Sequence, residues 1–377
     1  MITGQYIFYE NGKEILRSSN VITKFGKRFF TNLLAGGINN NRKDIAIGID
    51  NTNATESDTR LGFEFYKSPI ILGSYDIQST NEGTSSYAVI FKTIIPQDVQ
   101  GHINEIGLYP SISSSINNLD TKFITEFNSY LDWIDESGFN ADSSVSETRI
   151  SNNILIMQSN NGINNEYTYN VKDFNLSKYT KNDTIRLAYY KYDNNLESIK
   201  IKFYSSDTAY LEKDIVVDPG VGHKISPNIL ISNFLNNMTN PAPDLSNIIK
   251  IGITVVPNGS NLTRVGMDGL RINDEDVFDP FYGILSRSII KNYINASSTE
   301  FADVITVESN KNIFLHQKVS GFGIVENTEV IDINGNEITL SIETDNPVNG
   351  EIIFYGINKI SGRSLDIEYK IDLDWNA

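Results

Sequence analysis

Carboxylates and tyrosines offer most of the chemistry in this sequence. Asn273-Asp-Glu-Asp-Val-Phe-Asp279 concentrates Asp274, Asp276 and Asp279 in one short stretch. Hard cations want several oxygen ligands, and sandwich loops often supply them, so Ca2+ is the ion this cluster would take. The EF-hand spacing is missing, and a solvated acidic loop is the competing reading. Hydrolysis of a glycosidic bond needs two carboxyl groups about 5–10 Å apart. Asp132, Asp135, Glu136, Asp268, Asp274, Glu275, Asp276 and Asp279 could supply them, but with 47 acidic residues in the chain some will lie close by chance.

His102, His223 and His316 are the only histidines; none falls in a His-Glu-x-x-His motif or near a Gly-x-Ser-x-Gly elbow. They read as turn or surface residues. Asp218-Pro-Gly-Val-Gly222 lacks the Lys-Ser or Lys-Thr of a phosphate loop and reads as a turn. No catalytic residue is assigned, so the expectation is a protein that is not an enzyme and has no cofactor, with Ca2+ as the alternative. Sugar binding would use aromatic rings with polar neighbours, which Tyr189, Tyr190, Tyr192, Phe203 and Tyr204 offer. Strand alternation buries about half of such a set. Tyr190, Tyr192 and Tyr204 are therefore the glycan candidates, set against a reading as core packing.

Composition removes several function classes. A formal charge of −16 and a pI near 4.7 give no basic face to displace counterions from nucleic acid. The absence of cysteine removes disulfides, thiolate metal sites and thiol nucleophiles. No apolar run approaches the roughly 20 residues that span a bilayer, and Met1–Glu10 has no signal-peptide pattern, so neither membrane insertion nor secretion is expected. The sequons at Asn175, Asn182, Asn237, Asn261 and Asn295 are what an Asn-rich chain produces by composition.

The elements that must position these residues are mostly strands, because Asn, Ser, Thr and Asp favour turns over helix interiors. Glu10-Asn11-Gly12 marks an opening hairpin. Phe25, Phe29, Phe30, Leu33 and Leu34 recur at helical spacing within Asn20–Ala35, with Gly36-Gly37 as the C-cap. Asp44–Ile49 reads as a buried strand, and the Ser/Asn-rich Pro110–Asn118 as a linker. Ile154–Gln158, Glu166–Val171, Thr184–Tyr192, Ser198–Ser205, Ile248–Val255 and Leu262–Ile272 follow at the spacing of a sandwich or jelly roll. Further strands are expected at Asp303–Val307, Lys318–Val325, Thr328–Ile333, Glu337–Ile342, Glu351–Tyr355 and Asp366–Leu373. The predicted fold is mainly β. It has a strand-dominated attachment domain with one short helix over 1–118, a jelly-roll-like, carbohydrate-binding-like β-sandwich over 119–292, and a small β module over 293–377.

Two stretches resemble virion proteins of tailed bacteriophages. The first runs from Val21-Ile-Thr-Lys-Phe-Gly-Lys-Arg-Phe-Phe through Ile45-Ala-Ile-Gly48 and Glu56-Ser-Asp-Thr-Arg-Leu61 to Ile103-Asn-Glu-Ile-Gly-Leu-Tyr-Pro110. The second, Val319-Ser-Gly-Phe-Gly-Ile-Val-Glu-Asn-Thr-Glu-Val-Ile-Asp-Ile-Asn-Gly-Asn-Glu-Ile-Thr-Leu340, is similar to β modules of phage fibres. The resemblance implies that the Ile-Ala-Ile-Gly and Glu-Ile-Gly-Leu strands share a sheet. It also implies a structural component of tail, baseplate or fibre, made in the bacterial host cytoplasm and carried on the virion. Its partners would be other virion proteins and further copies of itself, with a trimer the symmetry expected of a fibre. The alternatives are a host-glycan-binding adhesin acting through the central sandwich, and a capsid or neck decoration protein. The loop of Asp50 to Arg60 is the expected contact surface.

Overall fold

The computed structural model describes residues 2–34, 43–71, 76–79, 86–110, 123–135, 141–144, 147–159, 162–235, 241–273 and 283–374. The chain is mainly β and divides into two compact units, Lys122–Asp276 and a flanking unit built from Met1–Thr121 with Val277–Ala377.

The central unit is a sandwich of two antiparallel sheets. The first has the order Asp142–Ser144, Ile154–Ser159, Thr263–Asn273, Thr184–Lys191, Gly222–Ile225, with Phe123–Thr125 and Ile229–Leu230 pairing beside it. The second has the order Trp133–Asp135, Asn165–Phe174, Ile248–Pro257, Leu196–Ser206, Ala209–Val216. Alternation sends Leu155, Met157, Val265, Met267, Leu187 and Tyr189 from the first sheet, and Tyr167, Ile251, Ile253, Val255, Ile201 and Phe203 from the second, into one shared core. Each such side chain contributes roughly 1.5–3 kcal/mol by leaving water. Ala209–Val216, an edge strand not expected from the sequence, carries Glu212-Lys213-Asp214, charges that discourage pairing with another chain.

The flanking unit draws on both ends of the chain, where the sequence predicts separate domains over 1–118 and 293–377. Ile2–Glu10 pairs with Lys13–Ser19 on one side and with Leu365–Asp374 on the other, and the Tyr6 and Tyr369 rings meet at 4.6 Å. Gly101–Ile103 likewise pairs with Ile357–Lys359. The segments 1–118 and 293–377 are thus one folded unit interrupted by the sandwich, a long-range pairing that neither strand announces on its own. The C-terminal β module keeps its own identity within that unit as a six-stranded sheet over Ile294, Ile305, Val330, Ile338 and Phe354. Its expected strand Lys318–Val325 contracts to Val319–Ser320, because Gly321 (φ 153°) and Gly323 (φ 80°) turn the chain.

The expected hairpin forms, with Asn11 and Gly12 at φ 52° and 74°. The helix spans Lys24–Leu34, and Thr23 Oγ1 caps it by accepting the Gly26 N–H at 2.9 Å. Its expected Gly36-Gly37 cap lies outside the described residues. Lys43–Gly48 and Glu105–Pro110 pair antiparallel, placing the Ile-Ala-Ile-Gly and Glu-Ile-Gly-Leu segments in one sheet.

A buried ionic knot fixes the loop that joins this sheet's strands. The fully buried Glu105 carboxylate accepts the N–H groups of Asp50 (3.3 Å), Gly62 (2.9 Å) and Phe63 (2.8 Å) and the Arg287 Nε–H (3.0 Å), with Arg287 Nη2 paired at 2.8 Å. Arg287 also reaches Asp58 at 2.9 Å. Burial pushes the Glu105 carboxyl up, against the pull of Arg287. Burial also raises Asp58, but hydrogen bonds from Thr55 and Arg287 outweigh it and hold the group below its usual range. Asp50 and Asp58 therefore face inward, while Glu56 stays exposed and pairs with Lys27 at 2.7 Å.

Candidate functional site

The outer face of the second sheet of the sandwich brings a cluster of polar and aromatic groups together. Period-two alternation places Ile199, Ile201 and Phe203 in the core and turns Lys200 and Lys202 outward. Antiparallel register then sets Lys202 opposite Gly252, and Gly252 opposite Thr168. One step along, Lys200 lies opposite Thr254, and Thr254 opposite Glu166.

Glu166 is the hub. Its carboxylate accepts from Lys202 Nζ at 2.6 Å and from the Tyr204 hydroxyl at 2.5 Å. Gly252 makes room for this: a Cβ there would fall 2.4 Å from Glu166 Oε1 and 2.9 Å from the Tyr204 ring. The Tyr204 and Tyr210 rings are 4.9 Å apart, with Lys250 over the first at 4.6 Å and Lys202 over the second at 5.2 Å. Lys250 pairs with Asp207 at 3.0 Å, and Lys200 is held more loosely by Glu212 at 3.6 Å and Asp214 at 3.7 Å. Thr168 and Thr254 form the floor, only 4% and 5% exposed although they point away from the core.

The arrangement offers hydroxyls, a carboxylate and ammonium groups beside a half-buried ring. It can accept and donate hydrogen bonds to a polyhydroxylated ligand. The sequence pointed to Tyr204 but to none of its partners: Glu166, Lys202, Tyr210, Gly252 and Thr254 come together only through strand register. Lys200-x-Lys202-x-Tyr204 is the one pattern from which part of this face is legible.

The other sequence candidates lie on the first sheet or elsewhere. Tyr190 is buried and Tyr192 half-buried, their rings 4.8 Å apart, with the Arg264 guanidinium 5.0 Å from the Tyr192 ring. These two tyrosines are on the opposite sheet of the sandwich from Tyr204, so the three do not form one platform. Tyr204 itself is only 6% exposed and is engaged through its hydroxyl, leaving Tyr210 as the more open ring. Tyr189 and Phe203 belong to the core.

Asp268 is fully buried and serves as a latch: it accepts from Thr148 Oγ1 and the Arg149 N–H, each at 2.9 Å, and lies 2.9 Å from His223 Nε2. These contacts fasten the segment before Ile154 over the first sheet. His102 is buried against the Phe314 ring at 4.4 Å, and His316 sits in a turn at φ 61°. Asp132 lies in a single helical turn and Asp135 in the strand that follows it. Glu136 and the proposed Ca2+ ligands Asp274, Asp276 and Asp279, with Glu275, fall outside the described residues.

No family model and no curated protein matches this sequence. Among solved structures, a family 11 carbohydrate-binding module from Clostridium thermocellum matches at 16% identity and a TM-score of 0.31, covering 40% of this chain and 94% of that one. An exo-β-agarase matches at 11% identity and a TM-score of 0.32, covering 43% of this chain and 26% of that one. The enzymatically active domain of tailspike protein 4 from bacteriophage CBA120 matches at 8% identity and a TM-score of 0.27, covering 41% and 21%. At such scores these likenesses carry no argument about this chain, whose sandwich and face are read from its own strands.

Proposed function

We propose that the central unit binds a glycan on the outer face of its second sheet, and that the flanking unit holds this module in place. The observation carrying the reading is the convergence of Glu166, Lys202, Tyr204, Thr168 and Thr254 around the side-chain-free Gly252. Such a mixture of donors and acceptors beside an aromatic ring suits a surface polysaccharide, and no reaction is assigned to it.

Titration of the full chain with soluble host polysaccharides, followed by calorimetry, tests the reading. Saturable binding is expected, and Glu166→Ala, which strips both Lys202 and Tyr204 of their partner, is expected to weaken it at least about tenfold, the effect of losing roughly 1.4 kcal/mol. Absence of binding at millimolar sugar ends the reading.

Assembly into a tailed-phage particle is a second reading, favoured by the C-terminal β module. Phe301 and Phe322 are 67% and 76% exposed, on turns tied to the same segment. The Phe301 N–H donates to the Thr344 carbonyl at 3.0 Å, and the Asp345 N–H to the Gly323 carbonyl at 3.2 Å. Phe301 holds left-handed backbone at φ 55°, a strained conformation for a bulky residue. Glu300 and Asp303 flank Phe301 in sequence, and Glu343 and Asp345 flank Thr344 on the segment that ties the two turns, so the occupant that fits is a protein surface with apolar pockets and a basic rim. Under this reading, gold-labelled antibody against the chain marks the particle, and Phe301→Ser with Phe322→Ser cuts incorporation at least about tenfold, as loss of two central aromatic anchors does. Undiminished incorporation removes it.

A further inference from the structure

Among the described residues of this face, Thr254 carries a buried hydroxyl with no hydrogen-bond partner. It sits mid-strand in Ile248–Pro257, with Ile253 and Val255 on either side pointing into the core, so its own side chain points outward. Even so it is 5% exposed, and its Oγ1 is buried with no hydrogen-bond partner. A buried hydroxyl left unpaired forfeits its hydration without a bond in return, and valine would fill the same β-branched space without that cost. Its cross-strand neighbours are Glu166 and Lys200. Glu166 is tightly engaged by Lys202 and Tyr204, whereas Lys200 is held only by the longer contacts to Glu212 and Asp214. Of the two neighbours, Lys200 is thus the more loosely held.

Charge defines what enters. Lys200, Lys202 and Lys250 each already face a carboxylate, from among Glu166, Asp207, Glu212 and Asp214. A uronate or sulfate group would meet ammonium groups that are already neutralised, and would approach carboxylates of its own sign. A neutral sugar hydroxyl pays no such penalty: it can accept from Thr254 Oγ1 while donating to a neighbouring carboxylate oxygen.

Resting on the glycan-binding reading above, we propose that Thr254 is a specificity-determining residue. Its hydroxyl is held unpaired for a sugar hydroxyl beside Lys200, and the ligand is a neutral rather than an acidic polysaccharide.

The test compares the full-length protein with its Thr254→Val and Thr254→Ser variants. The probes are dextran, galactomannan, xyloglucan and agarose oligosaccharides as neutral polymers, with alginate and heparin as polyanions, read by affinity electrophoresis and calorimetry. The wild type is expected to bind a neutral polymer and neither polyanion. Thr254→Val is expected to bind about tenfold more weakly while melting at the same or a higher temperature, and Thr254→Ser to retain affinity. Equal binding by wild type and Thr254→Val overturns the role of Thr254. Preference for alginate or heparin overturns the neutral ligand. Failure of the wild type to bind any of the six overturns the glycan reading itself, which distinguishes that failure from the other two.

Discussion

Replacing Arg287 with methionine is expected to destabilise the flanking unit by about 3–5 kcal/mol, the cost of leaving a buried carboxylate without its cation. Glu105 is fully buried and would keep the backbone N–H groups of Asp50, Gly62 and Phe63 but no cation, while Asp58 would lose its guanidinium contact at 2.9 Å. Adding Glu105→Leu does not restore the loss. It removes the stranded charge, but it orphans the backbone donors of Asp50, Gly62 and Phe63 that the carboxylate had satisfied. Urea denaturation resolved by hydrogen exchange checks this: the Gly62 and Phe63 amides should lose protection, while amides of the sandwich core, such as those of Ile201 and Ile253, keep theirs. Unchanged protection at Gly62 and Phe63 would show that the knot does not hold the loop.

The second large effect runs against helix propensity. Gly26 lies inside the helix Lys24–Leu34, where alanine would ordinarily add about 1 kcal/mol. A Cβ at this position would lie 1.9 Å from the Leu285 carbonyl oxygen, a backbone atom next to the strand Ser286–Ile289. The helix must back away, and overpacking of this kind costs about 1–3 kcal/mol or more. Gly26→Ala is therefore expected to lower the flanking unit's melting temperature, while Thr31→Ala, on an exposed position of the same helix, leaves it nearly unchanged. A Gly26→Ala protein that melts higher than wild type would mean that the helix does not pack as described.

Local signals made much of the architecture legible. Asn11-Gly12 specifies its hairpin because few other pairs accept positive φ at both positions. The alternation in Ile199-Lys-Ile-Lys-Phe203 assigns a core face and an outer face to the strand before any partner is known. Where local signals compete, the reading fails: Val319–Val325 has strand-like residues, but Gly321 and Gly323 adopt φ values that end the strand. Pairing between distant segments leaves no mark in either one. Glu166 meets Lys202 only because both flank the strand through Gly252, and Glu105, Asp58 and Arg287 meet only once three separate segments are in place. The glycan candidates suffered for the same reason: Tyr190 and Tyr204 sit in strands of similar pattern, yet the sheets that receive them are different.

The partnership between Ile2–Glu10 and Leu365–Asp374 has a consequence for the order in which the chain matures on the ribosome. At about 5–20 residues per second, the first strand emerges tens of seconds before its central neighbour exists. During that interval its unpaired edge is exposed, flanked only by Lys13–Ser19. The sandwich, by contrast, has all its strands within Lys122–Asp276 and completes its core while the flanking unit is still half-made. Biogenesis therefore runs from the middle outward, and the nascent protein carries its finished module before it has a finished base.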